Sequence, residues 1–238
     1  MMNNANIPPE IREVASDGTA LRYALMEMAT GDDVIALGRG DPDLKTPTYI
    51  IEAAANVLHR DAVPVSPVAG LPDLREAIAR KLNAENGLPT EAASIIVTTG
   101  GQEGLYLIMQ ALLSPGDEIL VPDPRYTSYD QAIASAGGEM VMIPTDHNDA
   151  FNLMPEAVEA AITPKTKALL IVTPSNPTGG IVTEDRLRQI AEIAIKHNLI
   201  VISDEIYEKF VYKPHEHFSI GSVPGMENRT ITLNGFSK

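Results

Sequence analysis

The distribution of hydrophobic residues changes near residue 94. From there, short apolar runs alternate with longer stretches in which apolar residues recur at helical spacing. This pattern predicts strands at about 95–98, 118–121, 139–143, 168–172, 200–203 and 230–233. It predicts helices between the first five of them, at about 102–113, 126–136, 154–162 and 183–197, and an irregular stretch at 207–229.

The strand candidates are apolar on both faces. The run Leu169-Leu170-Ile171-Val172 is an example, and such runs are typical of buried parallel strands. We therefore expect an α/β fold, with a mostly parallel central sheet and helices on both faces. Ligands of such sheets bind beyond the carboxyl ends of the strands, so the candidate chemistry is sought there.

The first part of the chain has a different pattern. Residues 1–46 are predicted to form an N-terminal arm and part of a small domain, with an amphipathic helix near 19–30. Pro47 and Pro72 suit the first turns of two helices that run to about 60 and 85. Residues 47–238 are predicted to form an incomplete large domain.

Composition excludes several function classes. The 238 residues carry a net charge of −14, which disfavours nucleic-acid partners and anionic membrane surfaces. Cysteine is absent, and His215-x-His217 is too small a set for a zinc site, so no metal is expected. Neither a signal peptide nor a membrane-spanning run is visible, which predicts a cytoplasmic protein.

Polar and glycine residues follow several predicted strands. Gly100-Gly101 before a helix suits an anion such as phosphate, although a plain glycine turn explains it equally well. Tyr126 could stack on a flat ring or pack in the core. Asn176 is held between two prolines, in a rigid loop or a simple turn.

Two charged residues stand at the ends of the last strands. Asp204 directly follows a buried strand, where a carboxylate needs a cationic partner unless it caps a helix. Lys238, among small residues after the last strand, is a candidate Schiff-base nucleophile, although most lysines are solvated surface charges.

Seven short motifs occur in order between about residue 37 and the end of the chain. They are Gly40-Asp41-Pro42-Asp43 with Thr46-Pro47, Ala69-Gly70-Leu71-Pro72-Asp73-Leu74-Arg75, Gly100-Gly101-Gln102-Glu103, Pro124-Arg125-Tyr126, Ser175-Asn176-Pro177-Thr178-Gly179, Asp204-Glu205-Ile206-Tyr207 and Gly235-Phe236-Ser237-Lys238. Together they resemble the class I and II aminotransferases, a fold-type-I family that uses pyridoxal 5'-phosphate (PLP).

The resemblance implies a role for each residue. Lys238 would bind PLP covalently and then move a proton, and Asp204 would keep the pyridine nitrogen protonated. Tyr207 and Asn176 would hydrogen-bond the phenolic oxygen of the ring. The other implied contacts are stacking by Tyr126, phosphate binding by the backbone of Gly101 and Gln102 and by Ser237, and substrate binding by Gly40, Tyr126 and Asn176.

The chain departs from the family at two positions. Relatives often have a tyrosine at the place of Val65 that reaches the phosphate of a neighbouring subunit, and valine cannot make that hydrogen bond. A homodimer is still implied. Gln102 stands where some aspartate-specific relatives have a lysine. Relatives also continue beyond the position of Lys238, with an arginine for the phosphate and another for the substrate carboxylate.

Three functions are compatible with these residues. The first is a transaminase that moves an amino group between an L-amino acid and a 2-oxo acid. The second is another PLP chemistry on the same fold, such as a carbon–sulfur β-lyase, because the cofactor supplies the electron sink in both. The third, a PLP-sensing regulator, would need a basic DNA-binding module, and residues 1–45 are too short and not basic.

Overall fold

The computed structural model describes residue 35 and residues 44–60 and 65–238. The predicted helix near 19–30 and the motif that contains Gly40 lie outside these residues. The chain divides into two compact units, Met1–Asp61 and Ala62–Lys238. The division predicted between residues 46 and 47 remains a prediction.

Helix α1 (Thr48–Arg60) is the helix described in the first unit. Pro47 precedes it, and the Pro47 carbonyl accepts the Ile50 N–H at 3.0 Å, as expected where proline opens a helix. His59 and Arg60 lie in the last turn, where positive charge favours the helix dipole. The helix predicted to follow Pro47 is confirmed.

A five-stranded sheet forms the centre of the second unit. Its strands are β1 (Glu118–Asp123), β2 (Glu139–Pro144), β3 (Thr166–Val172), β4 (Ile200–Asp204) and β5 (Thr230–Leu233). They lie in the order β2-β1-β3-β4-β5, and every pair is parallel. The chain therefore moves outward from β1 to β2 and returns to continue on the other side, which makes the gap between β1 and β3 the topological switch point.

Helices cover both faces of this sheet. The helices of this unit are α2 (Pro72–Asn86), α3 (Gly100–Leu112), α4 (Ser128–Ser135), α5 (Pro155–Ala161) and α6 (Glu184–Lys196). Leu169 and Ile171 pack with Leu187 of α6 in one core, whereas Leu170 packs with Met109 of α3 in the other. Burying each such side chain favours folding by about 1.5–3 kcal/mol relative to leaving it exposed. The predicted α/β fold is confirmed.

The strand predicted at 95–98 is wrong. Ile95 has extended backbone angles (φ −109°, ψ 133°), but these residues form no ladder with any of the five described strands. The Val97 N–H instead bonds to the Ala69 carbonyl at 3.0 Å. A strand needs a neighbour for its backbone groups, and Ile96 is 67% exposed, so an apolar run alone did not make one here.

The other elements predicted within the described residues are confirmed with small shifts in their ends. β4 extends to Asp204, so this carboxylate belongs to the strand, and Val172 and Leu233 are its neighbours in register. Residues 205–229 are irregular except for a short 3₁₀ turn at Ile220–Ser222. Within the described ranges, no helix combines the length and apolar character that crossing a membrane requires.

Candidate active site

Four of the predicted site residues follow or end strands at the same edge of the sheet. Tyr126 follows β1, Asn176 follows β3, Asp204 ends β4 and Lys238 follows β5. All five strands are parallel, so their carboxyl ends share one edge. The strand order places the segments after β1 and β3 at the switch point, where open α/β sheets bind ligands.

Asp204 is a buried carboxylate, with 6% of the residue exposed. Its Oδ2 accepts a hydrogen bond of 2.7 Å from the Tyr129 hydroxyl, and its Oδ1 accepts one of 3.2 Å from the Ile206 N–H. Both donors are neutral. Hydrogen bonds of this kind stabilise the charge of a buried carboxylate only in part.

Burial raises the pKa of the Asp204 carboxyl above its ordinary value of 3.8. The hydrogen bonds from Tyr129 and Ile206 act in the opposite direction, and the charge of Glu205 adds to the rise. Desolvation therefore dominates. A cation placed against Asp204 would stabilise the charged form of this carboxylate. Asp204 is therefore suited to pair with a protonated ring nitrogen.

Tyr129 is a site residue that the sequence analysis missed. Its side chain is almost fully buried, and its ring meets that of Tyr126 edge to face at 5.6 Å between centroids. Burial raises the pKa of Tyr129 well above 10.0, and Asp204, Tyr126 and Tyr207 raise it further. Tyr129 therefore stays protonated and donates to Asp204. The sequence feature that could have indicated Tyr129 is its position, three residues after Tyr126.

Lys238 and Tyr207 lie together. The Lys238 Nζ is 5.6 Å from the centroid of the Tyr207 ring, within the range of a cation–π contact. Phe210 packs edge to face on the same ring at 6.2 Å. The predicted nucleophile and a predicted ring-oxygen ligand are thus neighbours, although 31 positions separate them in the sequence.

The start of α3 offers an anion site. Gly100 has φ 77°, and no side chain caps the helix. The Glu103 carboxylate accepts the N–H of Thr99, just before the helix. A Cβ added at Gly101 would meet nothing closer than Leu233 at 3.7 Å. Exposed N–H groups at the start of a 13-residue helix suit a phosphate.

Gln102 links this helix to the segment after β1. Its Nε2 donates to the Tyr126 hydroxyl at 2.9 Å and to the Ser128 hydroxyl at 3.2 Å. The side chain of Gln102 therefore holds Tyr126, while its backbone stays available at the start of α3. The structure brings these two predicted residues into direct contact.

Asn176 and Ser237 are less closely tied to the rest of the site. Asn176 is partly exposed in a loop closed by the Ser175 N–H bond to Gly180 O at 2.8 Å. Ser237 is exposed. Among the described hydrogen bonds, none joins Asn176 or Ser237 to another predicted site residue. Gly40 lies outside the described residues.

Three residues of metal-binding types also meet beside the site. Among the described residues, side-chain ligand atoms of Glu205, Glu208 and His217 lie within 4.8 Å of one another, and His215 is not part of this cluster. Ser203 and Ser219 donate to the two oxygens of Glu205 at 2.8 and 2.5 Å. Protein donors already fill this cluster, so its chemistry does not favour a metal.

The described residues fit pyridoxal phosphate. Asp204 is a buried carboxylate with neutral donors only, which suits a pyridinium nitrogen. The uncapped start of α3 suits the phosphate, and Lys238 offers an amine to the carbonyl carbon. These features lie at the carboxyl ends of the strands, where open α/β sheets bind their ligands.

Comparisons with known proteins show which family the chain resembles. A family model described as aminotransferase class I and II matches residues 32–238. Over 216 residues the chain is 44% identical to an aspartate aminotransferase of Pyrococcus abyssi and 41% identical to aromatic-amino-acid aminotransferase 2 of Thermococcus litoralis. Each alignment covers 90% of this chain and 56% of the relative, so the chain spans about half the length of these curated relatives.

Solved structures show the same likeness. An aspartate aminotransferase of Thermus thermophilus, solved with maleate, matches with a TM-score of 0.86 and 40% identity over 98% of this chain and 58% of that one. An N-succinyldiaminopimelate aminotransferase of Mycobacterium tuberculosis matches with a TM-score of 0.86 and 33% identity, covering 96% and 59%. The chain belongs to the class I and II aminotransferase family.

Proposed function

We propose that the protein is a PLP-dependent aminotransferase that moves an amino group between an L-amino acid and a 2-oxo acid. The observation that carries this proposal is Asp204, a buried carboxylate with a raised pKa at the end of β4. Further support comes from the family and from relatives that are all named aminotransferases. We also propose a homodimer, as the family resemblance implies, and a cytoplasmic location.

Bound PLP supplies an electron sink that stabilises negative charge at the substrate Cα. Asp204 holds the proton on the pyridine nitrogen, and Tyr129 holds Asp204 in place through the 2.7 Å hydrogen bond. Lys238 Nζ would anchor the cofactor and would accept the proton from the substrate Cα. Burial around Asp204 excludes water that would weaken the pairing.

The remaining predicted residues orient the ring and the substrate. Tyr207 and Asn176 would donate to the phenolic oxygen, and Tyr126 would stack on the ring face, with its hydroxyl held by Gln102. The backbone of Gly101 and Gln102 binds the phosphate together with Ser237. Gly40, Tyr126 and Asn176 contact the substrate. These roles remain proposals that rest on the motifs and on the geometry at the strand ends.

The substrate class is proposed from the relatives' names. They include aspartate, aromatic and prephenate aminotransferases, so acidic and aromatic amino acids are the first donors to test. Gln102 stands where some aspartate-specific relatives have a lysine, and an amide does not attract a second carboxylate as strongly as an ammonium group does. We therefore expect aromatic donors to compete well with aspartate.

The experiment uses full-length protein loaded with PLP and single amino acids without an oxo acid. We expect the visible absorbance of the lysine-bound cofactor to disappear, and the matching 2-oxo acid to form in an amount equal to the sites present. Lys238→Ala is the control, because it removes the proposed anchor and proton acceptor.

The other outcomes are distinct. Formation of pyruvate together with ammonia from a sulfur-containing amino acid would favour the β-lyase chemistry instead. Failure of the wild-type protein to take up PLP at Lys238 would contradict the proposal itself.

A further inference from the structure

Glu208 is a buried carboxylate that the proposed mechanism does not use. It lies four positions after Asp204 and directly after Tyr207, with 8% of the residue exposed. Its Oε2 accepts from Asn86 Nδ2 at 2.6 Å and from Asn234 Nδ2 at 3.0 Å. Its Oε1 forms an ion pair with Lys81. Both oxygens are thus occupied, which a purely solvated glutamate would not require.

The network keeps this carboxylate charged. Burial acts to raise the pKa of Glu208, but the hydrogen bonds from Asn86, Lys81 and Asn234 outweigh it, and the pKa lies below its ordinary value of 4.5. A charged acceptor forms stronger hydrogen bonds than a neutral one, so Glu208 holds its donors firmly.

One of these donors controls the segment that carries Lys238. Asn234 is the first residue after β5, and its Oδ1 accepts the Gly235 N–H at 2.7 Å while its Nδ2 donates to Glu208. Both functional groups of the Asn234 amide are therefore used. They fix the direction in which the backbone leaves β5, four positions before Lys238.

At its other end the network is held by the buried residue Asn86. Asn86 ends α2 and also donates to the Ser219 hydroxyl at 3.2 Å, and its Oδ1 accepts from Lys81 at 2.8 Å. Tyr207, the neighbour of Glu208, carries the ring above which Lys238 Nζ lies at 5.6 Å. Glu208 thus connects a fixed helix end with both segments that meet at Lys238.

We propose that Glu208, acting through Asn234, is a positioning residue for Lys238. This inference rests on the proposed function, because Lys238 must bind the cofactor for its position to matter. Glu208 itself need not touch the substrate or the cofactor. It sets the path of residues 234–238 and so the reach of the lysine amine.

The test measures the bond between Lys238 and PLP rather than turnover. Full-length protein is mixed with limiting PLP, the lysine–cofactor bond is trapped with borohydride at timed intervals, and the modified peptide is quantified by mass spectrometry. The pH dependence of the absorbance of the bound cofactor gives a second readout. Melting temperature is measured on each variant to detect general loss of structure.

Three variants separate positioning from stability. Asn234→Ala removes the link, and Asn234→Asp keeps the acceptor for the Gly235 N–H but sets a carboxylate against Glu208. Val158→Ala is the stability control, because it removes buried methyl groups on α5 and touches no member of this hydrogen-bond network. We expect Asn234→Ala to slow trapping about tenfold, since a displacement of about 1 Å can cost on the order of 10²-fold in rate.

Asn234→Asp should slow trapping further and shift the pH dependence of the absorbance. Val158→Ala should lower the melting temperature while leaving the trapping rate unchanged. Wild-type trapping rates in both Asn234 variants would overturn the inference. So would slowing in all three variants in proportion to their lost stability. Absence of trapping in the wild-type protein would instead contradict the proposed function, since the inference concerns only the rate at Lys238.

Discussion

Burial at Asp204 opposes the charge of its carboxylate. A carboxyl whose pKa is raised in the folded state contributes stability when it is protonated, and this contribution is lost as the pH rises through the folded-state pKa. At neutral pH the protein without cofactor therefore carries a stability cost at this position. Stability sacrificed at a functional residue is common in enzymes.

The first prediction concerns Asp204→Asn. The amide keeps the shape, can accept from Ile206 and can donate to Tyr129. We expect the variant without cofactor to be more stable than wild type at neutral pH by roughly 0.5–2 kcal/mol in urea unfolding. The gain should shrink as the pH falls and Asp204 becomes protonated. PLP affinity should fall sharply, and a variant that gained stability and kept its affinity would contradict the proposed pairing.

The second prediction concerns Tyr129→Phe. Removing the hydroxyl takes away a hydrogen bond that lowers the pKa of Asp204, so this pKa should rise further. Hydrogen bonds to charged groups contribute about 1.5–3 kcal/mol, and we expect PLP to bind at least about tenfold more weakly. Fluorescence titration measures the affinity. Tyr212→Phe, at an exposed tyrosine, should bind PLP as wild type does.

The third prediction concerns Glu208 and acid. Its pKa is lowered in the folded state, so its contribution to stability is present above its ordinary value of 4.5 and is lost as the pH falls through the folded-state pKa. Glu208→Gln should unfold more easily than wild type at neutral pH, and the difference should narrow in acid. Urea unfolding across about pH 3–7 measures this. A difference that widened in acid would mean that another group controls the network.

At the scale of elements, the contact between α3 and β5 holds the anion site against the last strand. A Cβ at Gly104 would lie 2.9 Å from Leu233 Cδ1 and 3.3 Å from Thr98 Oγ1, whereas one at Gly101 would keep 3.7 Å from Leu233. A Cβ at Gly104 would therefore have to push the side chain of Leu233 aside, whereas one at Gly101 would fit in the existing space.

The fourth prediction compares alanine at these two glycines. Gly104→Ala should lower the free energy of unfolding by about 1–3 kcal/mol, the usual cost of overpacking. Gly101→Ala should be neutral or slightly stabilising, because alanine favours helix more than glycine does. Chemical denaturation of the two variants measures both. Equal losses would show that glycine is needed in both places for a reason other than space.

Much of this architecture could be predicted from the chain. The apolar runs at β1, β3 and β4 and the helical spacing of α3 and α6 arise from local periodicity, and the prolines before α1 and within α2 mark their starts. The run at 95–98 has the same composition but no partner strand among the described residues. Pairing depends on residues distant in sequence, so periodicity cannot predict it.

The site was predictable to the same extent. Asp204, Tyr126 and Lys238 stand in short motifs at strand ends, where local sequence carries the signal. Tyr129 and Glu208 act through side-chain contacts across 75 and 26 positions, to Asp204 and Asn234 respectively. Nothing in their immediate neighbours in sequence indicates these partners. Such contacts become visible only once the sheet has brought the segments together.

At the scale of the whole molecule, cofactor and fold should stabilise each other. A ligand that binds only the native state stabilises it by about 2.7 kcal/mol when its free concentration is 100 times its dissociation constant. The fifth prediction is that PLP raises the melting temperature of the full-length protein in a concentration-dependent way, as scanning calorimetry would measure. Lys238→Ala should need much more PLP for the same rise. A melting temperature independent of PLP would contradict the assignment of this site.

The strand order affects the sequence of events during folding. β1, β3 and β4 form the middle of the sheet, and β5 is added at its edge. Parallel strands meet only through long crossovers, which gives the domain a high contact order and slow assembly. During synthesis, a ribosome-bound chain can bury Asp204 beside Tyr129 before Asn234 and Lys238 have emerged. Capture of the cofactor by this lysine then follows the pairing of β5 with β4, so bound PLP marks chains in which this strand has taken its place.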